Sequence, residues 1–235
     1  MHVYIIRVAS YSQRIADLVE CLSLEERMRA RYFFREDDRR RFLLGRAMVR
    51  RLCANRLGVE AAAIILGQAT TGKPYIASPL DAQDQHVEFN VAHSGDCVII
   101  ALSKGQPVGV DVELLESSRF ASFDTISLLA FSEAERAALS AAVQDQLAAT
   151  FYRIWVRKEA VIKAEGCGIG GPLQSFSVAR KHAGQLKWID IVYFTASGRI
   201  WKVEEFTPAA NHFAALAVPR DSSVRLCTPA DAGFL

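Results

Sequence analysis

The sequence lacks the cysteine patterns of zinc-binding and disulfide-stabilised proteins. Its five cysteines form no CxxC pair and have no metal-like spacing to the five histidines, which argues against a zinc site. Their odd number and their position in apolar stretches such as LCANRL and DCVIIAL predict reduced, mostly buried thiols. Reduced thiols are typical of a cytoplasmic protein.

Long apolar runs are also missing. The longest, AAAIIL and CVIIAL, are far too short to cross a bilayer, so no membrane association is expected. The N-terminal segment MHVYIIRVAS has neither a basic start nor an apolar stretch of signal-peptide length. With 51% hydrophobic and 23% charged residues, the composition excludes a disordered chain and is typical of a globular protein.

The net charge is small but unevenly distributed. The whole chain has a net charge of +2. An arginine-rich segment at 27–56 holds eleven arginines and three acids, a net charge of +8, so the rest of the chain has a net charge of −6. Such a segment indicates an anionic partner, although a solvated helix face explains any single arginine equally well. A nucleic-acid-binding protein is therefore one hypothesis. Few aromatics suited to base stacking and no base-reading motif accompany the segment, which disfavours that hypothesis.

The first half of the chain is predicted to mix helices and strands. An early strand and two long helices are expected at 2–8, 13–31 and 36–57. Ser23 with Glu26 has the spacing of a capping box and predicts a new helix start, and Gly58 is expected to end the second helix. Three strands joined by short turns follow and are predicted to form an antiparallel meander at 86–93, 96–103 and 108–115.

The second half repeats this order. A helical region is expected over 125–165, with Ser132 and Glu135 as a second capping box, and four strands follow, FSVAR, WIDIVYF, IWKVEEF and HFAALAV. We therefore predict an α+β protein with two similar halves, 1–116 and 117–235, joined near residues 115–122.

Two acids lie on one face of the strand VGVDVELL. Because alternate side chains of a strand face opposite sides, Asp111 and Glu113 share a face with Gly109, which leaves space beside them. Two adjacent carboxylates repel unless a cation lies between them, and Mg²⁺ prefers such oxygen ligands. The alternative is an exposed strand face with two unrelated acids.

The segment FYRIWVRKEAVIKAEGCGIGG has the clearest helical pattern in the chain. Its apolar stripe is most simply core packing, and Trp155, Glu159 and Lys163 follow one another at four-residue intervals on one side. Glu159 and Lys163 then form either a surface ion pair or a functional base-and-cation pair. The flanking aromatic and isoleucine residues favour partial burial and the functional interpretation.

Two further residues have phosphate-binding potential. His93 ends a strand before the Ser-Gly turn of FNVAHSG, and Lys73 lies between Gly72 and Pro74 in the turn TGKPYI. A hydrogen-bonded turn histidine and an ordinary loop lysine are the simpler interpretations of each residue taken alone.

Five segments together resemble the 4′-phosphopantetheinyl transferases of the surfactin-synthetase-activator (Sfp) type: RFLLGRAMVRRL, TGKPYI, FNVAHSG, VGVDVE and FYRIWVRKEAVIKAEGCGI. The resemblance covers roughly residues 1–220, and its most specific part is G-x-D-x-E followed by W-x-x-K-E-A-x-x-K. It implies two α/β-sandwich halves related by a pseudo-twofold axis, with coenzyme A in the cleft between them. The implied reaction is Mg²⁺-dependent transfer of phosphopantetheine from coenzyme A to a carrier-protein serine, releasing adenosine 3′,5′-bisphosphate.

The resemblance also implies roles for individual residues. Asp111, Glu113 and Glu159 match the metal carboxylates, with Mn²⁺ as the alternative ion, and the catalytic group comprises Glu159, Lys163 and Asp111. Glu159, or a water that it orients, takes the serine proton, and Lys163 neutralises charge on the pyrophosphate. Coenzyme A is expected to bind through phosphate and adenine contacts from Arg41, Lys73, Pro74, His93, Arg46 and Lys163, with Arg29 nearby.

Some positions depart from the family pattern. Ala92 replaces a frequent serine, and Glu26 lies near a position that is basic in some members.

The expected partners are acyl, peptidyl or aryl carrier proteins of fatty-acid, polyketide or nonribosomal-peptide synthesis, which would dock on the arginine-rich segment or on residues 117–131. We expect a monomer that binds no nucleic acid. A coenzyme A binder without catalysis is disfavoured by the intact carboxylate set.

Overall fold

The computed structural model describes residues 1–79, 86–115, 123–168, 170–183, 185–194 and 196–233. Its helices and strands, in chain order, are β1 (His2–Arg7), α1 (Ile15–Leu18), α2 (Leu24–Ala30), α3 (Glu36–Leu57), β2 (Ile65–Gln68), β3 (Pro74–Ser78), β4 (Val87–Ser94), β5 (Cys97–Lys104), β6 (Gly109–Leu114), α4 (Phe123–Ala130), α5 (Glu133–Ser140), α6 (Leu147–Glu165), β7 (Ala179–His182), β8 (Gln185–Trp188), β9 (Ile191–Phe194), β10 (Arg199–Phe206), β11 (His212–Pro219) and β12 (Arg225–Cys227). The mixture of helices and strands confirms the predicted α+β class.

Local sequence signals explain where several helices begin and end. Both capping boxes form: Ser23 with Glu26 starts α2, and Ser132 with Glu135 starts α5. Gly58 ends α3 in the left-handed conformation, which glycine adopts at little cost. The predicted helix over 13–31 is interrupted, because the extended backbone of Leu22 and Ser23 separates α2 from α1 and a short 3₁₀ turn.

The chain divides into two units, Met1–Gln106 with Ser223–Leu235, and Pro107–Ser222. In the first unit, the sheet order is β12–β1–β5–β4, with β12 parallel to β1 and the other pairs antiparallel. The apolar face of α3 and this sheet share one core, which includes Ile6, Leu44, Met48, Leu52 and Ile100.

The second unit has an antiparallel sheet in the order β6–β11–β10–β9. Helix α6 covers one face of it, and the shared core includes Phe151, Ile154, Val161, Trp201 and Ala215. These residues confirm that the apolar stripe of α6 is core packing. The hairpins β2–β3 and β7–β8 form two small separate sheets.

The predicted three-stranded meander is wrong at its third strand. Strands β4 and β5 form the expected hairpin, but β6 pairs with β11 instead of β5. The second edge of β5 is already occupied by β1, so no hydrogen-bonding edge is left for β6.

The division into units also differs from the predicted limits 1–116 and 117–235. Strand β6 lies within the predicted N-terminal half, but it pairs with β11 and so belongs to the second unit. Strand β12 lies within the predicted C-terminal half, but it pairs with β1 and so belongs to the first unit. Residues 116–122, which include most of the predicted junction and the start of the proposed docking segment, lie outside the described residues. Within the described part of the chain, no helix is long and apolar enough to cross a membrane.

Candidate active site

Gly109 allows strand β6 to lie unusually close to helix α6. A Cβ atom at this position would overlap the carbonyl oxygen of Ala160 and the backbone nitrogen of Ala164. Only glycine fits such a close approach without backbone movement. Because Asp111 is on the same face of β6 as Gly109, its carboxylate is directed toward the same helix.

Asp111 and Lys163 form an ion pair between these two elements. Lys163 Nζ donates a hydrogen bond of 2.6 Å to Asp111 Oδ1, and the exposed fractions of the two side chains are 29% and 7%. The other carboxylate oxygen, Asp111 Oδ2, is buried and has no hydrogen-bond partner among the described residues. A buried unpaired carboxylate oxygen is costly unless a further donor or cation reaches it.

Glu113 and Glu159 add negative charge to this pair. Burial and the Asp111 carboxylate raise the pKa of Glu159, and burial raises the pKa of Asp111 against the opposing effect of Lys163. Burial would lower the pKa of Lys163, but Asp111, Glu159 and Glu113 together raise it. All three shifts favour the protonated forms, as carboxylates do when they act on one another and on an ammonium.

A bound metal ion would offset the negative charge of these carboxylates. Among the described residues, no group of three or more His, Cys, Asp or Glu side chains is arranged as a metal site. The carboxylate oxygens nevertheless have the chemistry that a hard divalent ion prefers, and Asp111 keeps one buried oxygen without a hydrogen-bond partner among the described residues. The structure thus brings Asp111, Glu113, Glu159 and Lys163 into one electrostatic cluster.

The predicted coenzyme-binding residues of the first unit lie on α3, the β2–β3 hairpin and the β4–β5 hairpin. Arg41 donates a hydrogen bond of 2.7 Å to the carbonyl of Gly95, and it also pairs with Asp38. This contact ties α3 to the turn that follows His93, whose side chain is exposed at the end of β4. Arg41 is therefore fixed beside the turn that follows His93.

Lys73 lies in the turn between β2 and β3. The turn closes through hydrogen bonds from Ala69 N to Lys73 O and from Gly72 N to Ala69 O, and Gly72 has a φ of 87°. Pro74 then begins β3. The turn expected from TGKP, with Lys73 in it, is confirmed.

Arg29 and Arg46 lie around one aromatic ring. Their guanidinium carbons are 5.5 and 5.6 Å from the centroid of Phe42, within the range of cation–π contacts. Burial lowers the pKa of Arg46. Arg29 of α2 and Arg46 of α3 thus both lie against Phe42.

Other members of the arginine-rich segment have structural contacts that the sequence did not indicate. Arg50 is buried, pairs with Glu26 at 2.8 Å and also donates to the carbonyl of Ile64. The sequence indicated Glu26 only as a departure from the family pattern. In the structure, Glu26 completes the cap of α2 and neutralises the buried Arg50. The eleven arginines do not form one uniform anion-binding surface.

Sequence reasoning also missed the role of Lys158. Lys158 Nζ lies 2.7 Å from Glu135 Oε2 and 2.8 Å from the carbonyl of Phe176, and both charged side chains are fully buried. Glu135 additionally accepts a hydrogen bond from Val178 N. The pair joins α6 to α5 and to the segment before β7. Lys158 directly precedes Glu159 in the sequence.

Comparisons with known proteins assign both parts of the chain to related families. Residues 9–105 match the N-terminal 4′-phosphopantetheinyl transferase family, and residues 107–217 match the 4′-phosphopantetheinyl transferase superfamily. The two matches meet where the first unit gives way to the second.

Several curated relatives have the same family name. The chain is 36% identical over 165 residues to 4′-phosphopantetheinyl transferase Sfp of Bacillus subtilis strain 168, covering 70% of this chain and 69% of that protein. It is 27% identical over 218 residues to 4′-phosphopantetheinyl transferase HetI of a Nostoc species, covering 93% and 87%. A Xenopus laevis relative, L-aminoadipate-semialdehyde dehydrogenase-phosphopantetheinyl transferase, is 28% identical over 206 residues, covering 84% and 68%. The chain belongs to the 4′-phosphopantetheinyl transferase superfamily.

Proposed function

We infer that this protein transfers the 4′-phosphopantetheine group of coenzyme A to a serine hydroxyl of a carrier protein. Family membership supports the reaction class. The observation that carries the proposed site is the Asp111–Lys163 pair beside Glu113 and Glu159, held together by the close approach of β6 and α6. The alternatives of a nucleic-acid-binding protein and a non-catalytic coenzyme A binder have no comparable support.

The transfer exchanges one phosphorus–oxygen bond for another. The serine oxygen bonds to the phosphorus that carries pantetheine, while the pyrophosphate bond to the nucleotide breaks and adenosine 3′,5′-bisphosphate leaves. Glu159, directly or through a water, accepts the serine proton, and the ammonium of Lys163 neutralises charge on the leaving phosphate. Such reactions depend mainly on positioning and on charge neutralisation.

Asp111, Glu113 and Glu159 are proposed to hold Mg²⁺, with Mn²⁺ as the alternative ion. The ion would supply positive charge to the phosphates of coenzyme A when bound. Two observations support this assignment: one buried oxygen of Asp111 has no hydrogen-bond partner among the described residues, and Asp111, Glu159 and Glu113 all raise the pKa of Lys163.

Cationic side chains of the first unit are proposed to hold the remaining phosphates of coenzyme A. The residues are Arg41 and Arg46 on α3, Lys73 in the β2–β3 turn and His93 on β4, with Pro74 beside the adenine. Arginine suits phosphate because its planar guanidinium donates several hydrogen bonds in one plane. We further propose that the enzyme acts as a monomer in the cytoplasm on acyl, peptidyl or aryl carrier proteins.

The direct test incubates the protein with coenzyme A, Mg²⁺ and a panel of apo carrier proteins. Intact mass spectrometry should show addition of one phosphopantetheine group, and EDTA should prevent it until Mg²⁺ is restored. No modification of any carrier type would contradict the proposed function.

A second readout tests the metal site without activity. Mg²⁺ should raise the melting temperature of the wild type, because an ion that binds only the folded protein stabilises it. Asp111→Asn should remove this shift, whereas Asp145→Asn, at an exposed acid distant in sequence, should retain it. An equal shift in Asp111→Asn would contradict the ligand assignment.

A further inference from the structure

A two-residue turn joins β4 to β5, directly after Ser94. Its central residues are Gly95 and Asp96, and the flanking residues Ser94 and Cys97 face each other across the hairpin. The φ of Gly95 is 53°, whereas the φ of Asp96 is not positive. This combination is found in type II′ hairpin turns. The Gly95 carbonyl accepts the hydrogen bond from Arg41 that ties α3 to the turn.

Both carboxylate oxygens of Asp96 are held by the end of β1. Arg7 Nε donates a hydrogen bond of 2.8 Å to Asp96 Oδ2, and Arg7 Nη2 lies 2.7 Å from the same oxygen. The backbone nitrogen of Ala9 donates a hydrogen bond of 2.7 Å to Asp96 Oδ1. In addition, Val8 N donates a hydrogen bond of 2.9 Å to the carbonyl of Asp96. Asp96 is therefore anchored through its side chain and its backbone together.

This anchoring fixes the direction of the Gly95 carbonyl. Type I′ and type II′ turns differ chiefly in the orientation of the peptide group between their two central residues, and only type I′ needs a positive φ at the second. Glycine adopts either conformation easily, and aspartate tolerates a positive φ better than most residues. Local preference therefore leaves both orientations accessible, whereas the contacts of Asp96 with β1 hold the one in which the Gly95 carbonyl meets Arg41.

Arg41 keeps hydrogen-bond donors for a ligand. Its guanidinium is bound to the Gly95 carbonyl and to Asp38. In the part of the chain that the structure describes, these two bonds use two of the five N–H groups of the guanidinium. Fixing the plane of the guanidinium prepares it for bidentate contact with a phosphate.

The ion pair between Arg7 and Asp96 contributes little to stability by itself. The exposed fractions of the two side chains are 46% and 31%, and exposed ion pairs are weak because water screens them. The main consequence of the contacts is therefore geometric, since they fix the turn beside which Arg41 and His93 lie.

We propose that Asp96 is a positioning residue for coenzyme A. Anchored to β1, it holds the Gly95–Asp96 peptide so that Arg41 stays beside His93 and in position to bind a phosphate of the coenzyme. Asp96 itself does not touch the coenzyme and acts through Arg41. This inference rests on the proposed function, because it extends the assignment of Arg41 and His93 to coenzyme A.

The first test is Asp96→Asn. An asparagine offers one acceptor oxygen where aspartate offers two, so the contacts with Arg7 and Ala9 cannot both be kept. The dissociation constant of coenzyme A should rise about fivefold, which corresponds to about 1 kcal/mol. The Michaelis constant for coenzyme A should rise with it, while the turnover number at saturating coenzyme A stays unchanged. A purely structural role would lower the melting temperature and leave both constants as in the wild type.

A second variant and a control make the comparison specific. Arg7→Met should weaken coenzyme A binding in the same direction but less, because Ala9 N still bonds to Asp96. The control Glu88→Gln removes a carboxylate of similar exposure, 30%, from the other end of β4, where it pairs with His86. It should leave the dissociation constant unchanged.

A double variant tests whether Asp96 acts through Arg41. Arg41→Met should itself weaken coenzyme A binding, because it removes the proposed phosphate contact. In that background, Asp96→Asn should cause no further weakening, since residues that act as one unit are not additive. An equal further rise of the dissociation constant would show that Asp96 acts independently of Arg41 and would overturn the inference.

Calorimetric titration measures coenzyme A binding without transfer and so separates this inference from the proposed function. The expected differences in binding, in a protein that modifies no carrier, would support the inference and overturn only the proposed function. Unchanged binding in both Asp96→Asn and Arg7→Met would overturn the inference, as would an equal loss in Glu88→Gln. A wild type that binds no coenzyme A would also overturn it.

Discussion

The ammonium of Lys163 lies 2.6 Å from one carboxylate oxygen of Asp111, and the other oxygen of Asp111 is buried without a hydrogen-bond partner among the described residues. The two residues are far apart in sequence and meet because β6 packs against α6. One oxygen of Asp111 is therefore paired with a fixed cation, whereas the other lacks a hydrogen-bond donor in the part of the chain that the structure describes.

Lys163→Met should destabilise the protein by about 3 kcal/mol, because it leaves the buried carboxylate of Asp111 without its cation. Adding Asp111→Asn to that variant should recover part of the loss, since a neutral amide needs no counterion. Urea unfolding of the wild type, both single variants and the double variant gives the coupling energy. Additive effects of the two substitutions would show that the ion pair contributes nothing to stability.

Glu159→Gln should lower the transfer rate by about 10²–10⁴-fold, the range expected for loss of a proton acceptor. Coenzyme A binding should largely survive, because the amide retains the size of the side chain. The melting temperature should not fall, since the substitution removes a charge that Asp111 opposes. Intact mass spectrometry and calorimetric titration measure the two properties. An equal loss of coenzyme A binding would assign Glu159 a structural role.

Gly109→Ala should lower the free energy of unfolding by about 3 kcal/mol, because the new methyl group overlaps the backbone of Ala160 and Ala164. Transfer should also be lost, since β6 must move and carry Asp111 away from Lys163. Gly170→Ala is the control, because nothing lies within 4 Å of a Cβ atom there. Thermal unfolding and the carrier assay compare the two variants, and a stable, active Gly109→Ala protein would refute the close-packing argument.

Lys158→Met should destabilise the second unit by about 3 kcal/mol, because it removes the cationic partner of the fully buried Glu135 side chain. Lys187→Met, at an exposed lysine of β8, should change stability little. Chemical denaturation monitored by tryptophan fluorescence measures both variants. A Lys158→Met protein as stable as the control would show that the buried pair with Glu135 does not stabilise the fold.

The sequence predicted those parts of the site that depend on neighbours within one element. The alternation of β6 indicated that Gly109, Asp111 and Glu113 share a face, and the apolar stripe of α6 predicted which of its side chains enter the core. The family resemblance, carried by short motifs, predicted the reaction class, and the family comparisons confirm it. The individual metal and coenzyme A roles stay proposals.

Contacts between distant elements could not be read from local patterns. Nothing near Lys158 in sequence indicates that Glu135, already used in a helix cap, is its buried partner. Nor does the composition of the arginine-rich segment distinguish Arg50, which neutralises Glu26 inside the first unit, from the exposed Arg31 and Arg35. These differences depend on burial, which is a property of the folded chain.

The sequence by itself determined the α+β class, the helix caps, the two acids on one strand face and the family. Only the tertiary structure decided that β6 leaves the first sheet for β11, that Lys163 pairs with Asp111, and that Leu24 and Met28 of α2 stay exposed. The physical reason is the range of the interactions. Capping and side-chain periodicity act within a few residues, whereas strand pairing and buried charge pairs depend on which edges and counterions remain available after the whole chain has folded.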